Sequence, residues 1–315
     1  MTKSISILIP VYNEEESIKL LCHEIVGVLK KSNYNYEIVV IDDGSTDETL
    51  NRALEVKNSK KFQCKNNCRL RIIRLSRNFG QTAAMQAGFD NALGDYIITM
   101  DGDLQNDPNE IPKFIEKLEQ GFDLVCGWRK NRKDKTLTRI FPSQVANWLI
   151  RIVTGVHIHD YGCSLKAYKK WLIQSVRLYS DMHRFIPAIT STVGANVTEL
   201  IVNHRARKYG VTKYGLSRIW KVFFDLITIK MLINFYNQPI IWFASMGFIF
   251  LGCGLMMGVT AVLSFLSGGN TVVYTTASFM FLFLFASLLS WGLLSEFFIR
   301  IKKEIKGERK KRKDN

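Results

Sequence analysis

The sequence predicts an α/β domain with a mostly parallel sheet, followed by interfacial helices and a two-helix transmembrane hairpin. Three observations carry that reading. Across residues 1–127 short apolar runs alternate with segments of helical apolar spacing, the pattern of repeated βα units. Polar residues collect where those runs end, at Tyr12-Asn13-Glu14, Asp42-Asp43-Gly44-Ser45 and Asp101-Gly102-Asp103. Residues 231–295 contain no Asp, Glu, Lys or Arg, whereas the residues before them carry charge throughout.

Strands are expected at Ser4–Pro10, Tyr36–Asp42, Leu70–Ser76, Asp95–Asp101 and Phe122–Gly127. Helices are expected between them at Glu15–Lys31, Asp47–Val56, Gln81–Leu93 and Pro108–Glu119. Ser45 or Thr46 suits the cap of the second helix, and Asn106-Asp107-Pro108 is a proline-first helix start. A parallel sheet covered on both faces binds ligands at the carboxyl ends of its strands. Residues 128–215 read as irregular and mixed. Leu137–Val153 and Ile219–Leu232 are amphipathic, and each suits either a membrane interface or the cover of a soluble core. Pro239–Leu266 and Tyr274–Ile299 each exceed the roughly 20 apolar residues that cross a bilayer, with Ser267-Gly268-Gly269-Asn270 as the turn. The expected organisation is a 1–215 domain, a 216–232 interface helix, two spans within 233–299 and a basic tail at 300–315.

The formal net charge is +15, and residues 300–315 supply +6 of it, nine Lys/Arg less three Asp/Glu. Beside an apolar stretch, this charge fits the anionic cytoplasmic face of a membrane. Nucleic acid is not expected as a partner, since no basic-aromatic motif accompanies the tail. Basic residues on both sides of the hairpin place the soluble domain and both termini in the cytoplasm. The six cysteines are scattered and no signal-type segment opens the chain, so reduced thiols are expected. Cys64 and Cys68 lack the second pair that would complete a metal site.

A nicotinamide-binding domain would carry G-x-G-x-x-G after its first strand, but Pro10-Val11-Tyr12-Asn13-Glu14-Glu15 stands there. The P-loop pattern is absent as well. What remains for an α/β sheet with acidic strand ends is a nucleotide bridged by a divalent metal, which neutralises phosphate charge. Taken alone, Asp101-Gly102-Asp103 also reads as a plain acidic turn.

The runs ILIPVYNEEE (7–16), IDDGSTD (41–47), RNFGQTAAMQAGFDNALGD (77–95) and MDGDLQNDP (100–108) resemble family 2 glycosyltransferases with the A-type nucleotide-sugar fold. With the C-terminal hairpin, the whole chain is similar to the polyprenyl-phosphate glycosyltransferases, the group of the dolichyl-phosphate mannose synthases and bactoprenol glucosyltransferases. The resemblance implies roles by position. Pro10, Tyr12, Glu14, Ile41 and Asp43 would form the pocket for base and ribose. Asp101, Asp103 and Gln105 would hold Mg²⁺ or Mn²⁺, with Gly102 between them beside the nucleotide sugar. Arg129, Arg139 and Ser143 would bind the lipid phosphate, and Arg207 and Lys213 would cover the donor diphosphate. Asp103 and Asp160 are the implied catalytic residues. Asp160 matches a third acidic motif near the acceptor; since a phosphate ionised at neutral pH needs no strong base, positioning of the sugar or of the arginines is its alternative role. His183-Arg184-Phe185 lies in a segment that the family also carries.

The implied reaction is inverting, metal-dependent transfer of a sugar from a nucleotide diphosphate sugar to polyprenyl phosphate, giving a lipid-linked monosaccharide for the cell envelope. UDP-glucose and undecaprenyl phosphate at a bacterial inner membrane are the expected pair, with a homo-oligomer left open. Another sugar on the same lipid is the alternative: N-acetylglucosamine, galactose, mannose or an aminoarabinose derivative. A processive polysaccharide synthase would carry Gln-x-x-Arg-Trp and more spans. An inactive scaffold would have lost the acidic motifs, and a transporter would need more than two spans of its own.

Overall fold

The computed structural model describes residues 3–30, 32, 34–59, 68–130, 147, 148, 150–152, 154–178, 182–191, 193–206 and 238–314. They belong to two units, Met1–Ile227 and Thr228–Asn315. In the first, four apolar runs become β1 (Ser4–Val11), β2 (Asn35–Asp42), β3 (Cys68–Arg74) and β4 (Tyr96–Thr99). β1 lies between β2 and β4 and runs parallel to both, and β2 is parallel to β3. The connecting helices are α1 (Ile18–Leu29), α2 (Thr49–Asn58), α3 (Gln81–Asn91) and α4 (Ile111–Glu119). Ile5, Ile7 and Ile9 of β1 share one core with α1 and α4. Leu8 and Ile41 face the other way, against Gly88 of α3. Burial on both faces explains why β1, β2 and β4 are rich in aliphatic residues, whereas β3, at the sheet edge, interleaves arginines.

The sheet continues through β5 (Leu124–Trp128), β6 (Lys166–Lys169) and β7 (Val197–Ile201), in the order β3-β2-β1-β4-β6-β5-β7. β6 runs antiparallel to β4 and β5, whereas β5 and β7 are parallel. Neither β6 nor β7 was expected. β6 is only Lys-Ala-Tyr-Lys, with no apolar run, and its Lys166 is buried by giving its ammonium to the carbonyls of Tyr161 and Cys163. Two short helices, α5 (Lys170–Ser175) and α6 (Ile186–Ser191), lie in the same region.

Helix ends differ from expectation where side chains found other partners. α2 starts at Thr49, because Asp47 Oδ1 accepts from the Thr49 amide and hydroxyl. Ser45 and Thr46 bond to Asn13 instead of capping. The proline-first start holds: Asp107 accepts from Asn109 N and opens a 3-10 turn, Pro108–Glu110, that leads into α4. Of the amphipathic stretches, residues 147, 148 and 150–152 are helical, with Ile150 buried and Trp148 and Ile152 exposed. The remainder of 137–153 and all of 219–232 lie outside the described residues.

The second unit is a helical hairpin, α7 (Pro239–Leu266) and α8 (Val272–Asp314). α7 has the expected bounds, while α8 continues through the basic segment expected as a tail. Small residues let the two helices approach. A Cβ at Gly254 would lie 3.2 Å from the Leu282 side chain, and one at Gly292 would lie 3.1 Å from Phe243 Cβ. Ser278 Oγ donates to the Gly254 carbonyl at 2.8 Å. Pro239–Leu266 and Val272–Ile301 are both long and apolar enough to cross a membrane. Phe248, Ile249, Phe265, Phe279 and Phe283 stand exposed on them, an apolar surface far larger than a water-soluble hairpin tolerates.

At the amino ends of the central strands a buried polar network fixes register. Glu37 accepts from Ser6 Oγ at 2.6 Å, Leu93 N at 2.7 Å and Arg71 at 3.1 Å, and Gly94 N donates to Ser6 Oγ at 2.7 Å. A Cβ at Gly94 would sit 2.5 Å from Ser6 N, inside contact distance with backbone that cannot yield. Gly94→Ala is therefore expected to destabilise the domain by roughly 2 kcal/mol or more. Thermal unfolding of the detergent-solubilised chain checks this; an unchanged midpoint would contradict the close packing.

Candidate active site

The polar strand ends converge as the parallel register requires. Pro10 pairs with Ile41 and Val11 with Asp42, so both chains leave the sheet at the same level. Their loops are then stitched together: Asp43 N donates to Val11 O, Asn13 N to Ser45 Oγ at 3.0 Å, and Glu14 N to Thr49 Oγ1 at 2.7 Å. Asn13 adopts φ +54°, a left-handed conformation that Asn tolerates better than most residues. The third strand end closes in through Gly102, where a Cβ would lie 2.7 Å from Val11 Cγ1. Pro10, Tyr12, Glu14, Asp43, Asp101, Gly102 and Asp103 thus belong to one rim.

Two of the residues expected in the nucleoside pocket face other partners. The buried Asp43 carboxylate accepts from Phe79 N at 2.8 Å and Gly80 N at 2.9 Å, fixing the start of α3. Ile41 is fully buried under Gly88. Gly44 is required for the same junction: it has φ +69°, and a Cβ there would meet Arg77 backbone at 2.5 Å.

Asp101 and Asp103 are set side by side. Burial and the neighbouring Asp103 push the Asp101 carboxyl up to about 6, against the opposing pull of a Ser164 hydrogen bond and the charges of Arg129 and Lys166. Gln81 Nε2 donates to Asp101 Oδ1 at 2.8 Å. Asp103 is buried and accepts from Gln105 N at 3.1 Å across Leu104, which is held at φ +63°. A left-handed leucine is strained, so the surroundings must hold this turn. The donor set fits a hard divalent cation: two carboxylates that repel each other when both are ionised, with the Gln105 amide one turn on. Among the described residues no group of three or more His, Cys, Asp or Glu could hold a metal ion, so other oxygen donors would have to complete its shell.

Beyond the carboxylate pair stand Arg129 and Asp160, joined to each other. Arg129 Nε donates to Asp160 Oδ2 at 2.7 Å and its NH2 donates to Oδ1 at 3.0 Å, a two-pronged ion pair with both side chains largely buried. Gly162 N adds a donor to Oδ1 at 3.1 Å. A carboxylate held this way is a strut for the guanidinium and a poor proton acceptor. Next to it, Trp128 stacks on His159 with centroids 4.1 Å apart, and His159 Nδ1 pairs with Glu199. Arg139, Ser143, Arg207 and Lys213 lie outside the described residues.

Sequence reasoning passed over Gln81, Ser164 and Lys166. Gln81 stood inside a quoted run, as the first residue of α3, and was open to notice as a polar residue at the start of a helix. Lys166 gave no signal, because nothing in Ser-Leu-Lys-Ala-Tyr announces a buried ammonium. His183 is placed at α3, with Nδ1 2.7 Å from Thr82 Oγ1, one residue from Gln81.

The family model for glycosyl transferase family 2 matches residues 6–176. A dodecaprenyl-phosphate galacturonate synthase of Rhizobium johnstonii is 45% identical over 80% of this chain and 73% of its own length. An undecaprenyl-phosphate 4-deoxy-4-formamido-L-arabinose transferase of Aeromonas hydrophila subsp. hydrophila is 34% identical, covering 96% of this chain and 91% of that one. Among solved structures, a glucosyl-3-phosphoglycerate synthase of Mycobacterium tuberculosis, in complex with Mn²⁺, UDP and phosphoglyceric acid, shares the fold. It superimposes with a TM-score of 0.56 over 73% of this chain and 78% of that one, at 16% identity. With the acidic rim, the mixed sheet and these relatives together, the chain belongs to glycosyl transferase family 2, in its group of polyprenyl-phosphate sugar transferases.

Proposed function

We propose that the protein transfers a single sugar from a nucleotide diphosphate donor to a polyprenyl phosphate, with inversion at the anomeric carbon. The observation that carries this reading is the Asp101–Asp103 pair, two carboxylates set one residue apart at the end of a central strand, beside an arginine already fixed in place. A bound Mg²⁺ or Mn²⁺ would supply Lewis-acid stabilisation of the leaving diphosphate, held by Asp101, Asp103 and Gln105. Tyr12, Pro10 and Glu14 would border the nucleoside, while Asp43 and Ile41 support that pocket from below through α3. Arg129 would face the lipid phosphate with the donors that Asp160 leaves unused, and Asp160 would hold it there rather than take a proton. Arg139 and Ser143 would share the lipid phosphate, and Arg207 and Lys213 the diphosphate. Alignment and charge stabilisation would then supply most of the acceleration.

For the sugar, the relatives point away from the glucose first expected. Galacturonate, as a UDP-linked donor, is our reading, since the 45% identical relative is a galacturonate synthase. A 4-deoxy-4-formamido-L-arabinose donor is the second reading, supported by a relative that matches 96% of the chain. The two apolar helices would anchor the chain at a bacterial inner membrane with its soluble domain in the cytoplasm, where lipid phosphates are presented.

Three outcomes are expected. With a panel of UDP-sugars and undecaprenyl phosphate, mass analysis of the lipid product should show a galacturonosyl adduct, and a glucosyl product alone would overturn the sugar assignment. Asp103→Asn should reduce transfer by roughly 100-fold or more while leaving circular dichroism unchanged; full activity in chelator would remove the metal from the reaction. The third outcome concerns pH. Because the folded state raises the Asp101 pKa to about 6, its contribution to stability is complete below the unfolded value and is lost as pH rises through that point. Asp101→Asn, which cannot ionise, should therefore stabilise the cation-free protein by roughly 1–3 kcal/mol at about pH 8, and the gain should fade toward about pH 4. A gain that persists in acid would show that charge is not its cause.

A further inference from the structure

The segment after β7 lies against the residues that follow the acidic pair. Asn106 and His204 form an isolated antiparallel bridge, and Arg205 N donates to Gln105 O at 2.9 Å. Gln105 Nε2 in turn reaches the Arg205 carbonyl at 3.5 Å. An amide carries one acceptor end and one donor end, so turning its NH₂ toward Arg205 turns its oxygen the other way. Asn203 Nδ2 donates to Asp107 Oδ2 at 3.1 Å. The segment itself is pinned by a fork: Arg205 NH1 bonds Glu24 on α1 at 2.6 Å, and its NH2 bonds Asp107 Oδ1 at 2.8 Å. Asp107 also caps the turn into α4 through Asn109 N.

These contacts surround the strained part of the site. Between Asp103 and Gln105 stands Leu104 with φ +63°, buried and with no glycine's freedom. Such a turn persists only where its flanks are over-determined. One flank is Gly102 against Val11; the other is Gln105–Asp107 against Asn203–Arg205. We propose that Arg205 is a positioning residue for the cation site: it splints the Asp103–Asp107 turn through the backbone and aims the Gln105 amide oxygen at the cation. It makes no contact with substrate in this scheme, and it rests on the metal reading given above. Outer partners of this kind tune metal affinity by orienting the ligands.

The test is Mn²⁺ binding to the full chain in detergent with UDP present, read by electron paramagnetic resonance, with unfolding midpoints alongside. Wild-type protein should bind Mn²⁺; if it binds none, the metal reading itself fails. Arg205→Ala should raise the Mn²⁺ dissociation constant by roughly 10-fold. In a Gln105→Ala background, the same change should add less than about 2-fold, because the ligand being aimed is gone. Equal losses in both backgrounds, or no loss in either, would overturn the positioning role while leaving the metal reading intact. Should Arg205→Ala not fold, Glu24→Gln decides, since it loosens one prong at an exposed carboxylate. An approximately 2–5-fold weaker affinity that vanishes with Gln105→Ala supports the splint, and an unchanged affinity rejects it.

Discussion

Two carboxylates kept close together away from bulk water form the constraint on which the site is built. Asp101 and Asp103 cannot both ionise comfortably at the end of β4, as the upward push on Asp101 records. The surrounding groups are arranged to offset that cost. An amide from the start of α3, a hydroxyl at Ser164 and two buried cations, Arg129 and Lys166, all bear on the pair. None of these comes from the loop that carries the carboxylates. The fold's task is to bring four distant stretches to one strand end, and parallel pairing of β1 with both β2 and β4 sets that meeting point.

The same logic separates the two ends of the sheet. At the amino ends, Glu37 is neutralised and saturated by fixed partners, so it serves register and nothing else. At the carboxyl ends, Asp101 and Asp103 load one site with two acids, and burial and mutual repulsion push Asp101 upward despite the cations nearby. Burial is similar in the two places, and the balance of partners differs. That difference distinguishes a structural acid from one suited to a metal and a diphosphate.

Much of the first unit was legible in its amino acids. The long aliphatic runs could be nothing but buried strands, and their polar ends marked the rim. The hairpin followed from uninterrupted lack of charge. What stayed hidden depends on tertiary partners. β6 is too short and too polar to be seen, because its burial rests on Lys166 meeting two carbonyls in space. Asp43 and Ile41 were assigned to a pocket by position, yet their contacts hold α3. Asp160 was open to reading as a holder of the sugar or of the arginines, but no spacing rule says which arginine, 31 residues away, it would pair with. The start of α2 slipped because Asn13, on another loop, competed for its caps.

The unbroken length of α8 has a consequence of its own. At 43 residues it extends about 65 Å, of which Val272–Ile301 accounts for about 45 Å, more than a hydrocarbon core of about 30 Å needs. The basic cluster therefore projects as a stiff rod for about 20 Å beyond the apolar part instead of lying along it. Ionic attraction to a bilayer fades over about 8 Å in physiological salt. Arg300, Lys302 and Lys303 fall within that reach of the apolar end, whereas Lys310-Lys311-Arg312-Lys313 stand outside it. One run of charge is thereby divided along the helix axis into a part beside the apolar stretch and a part more than a screening length beyond it.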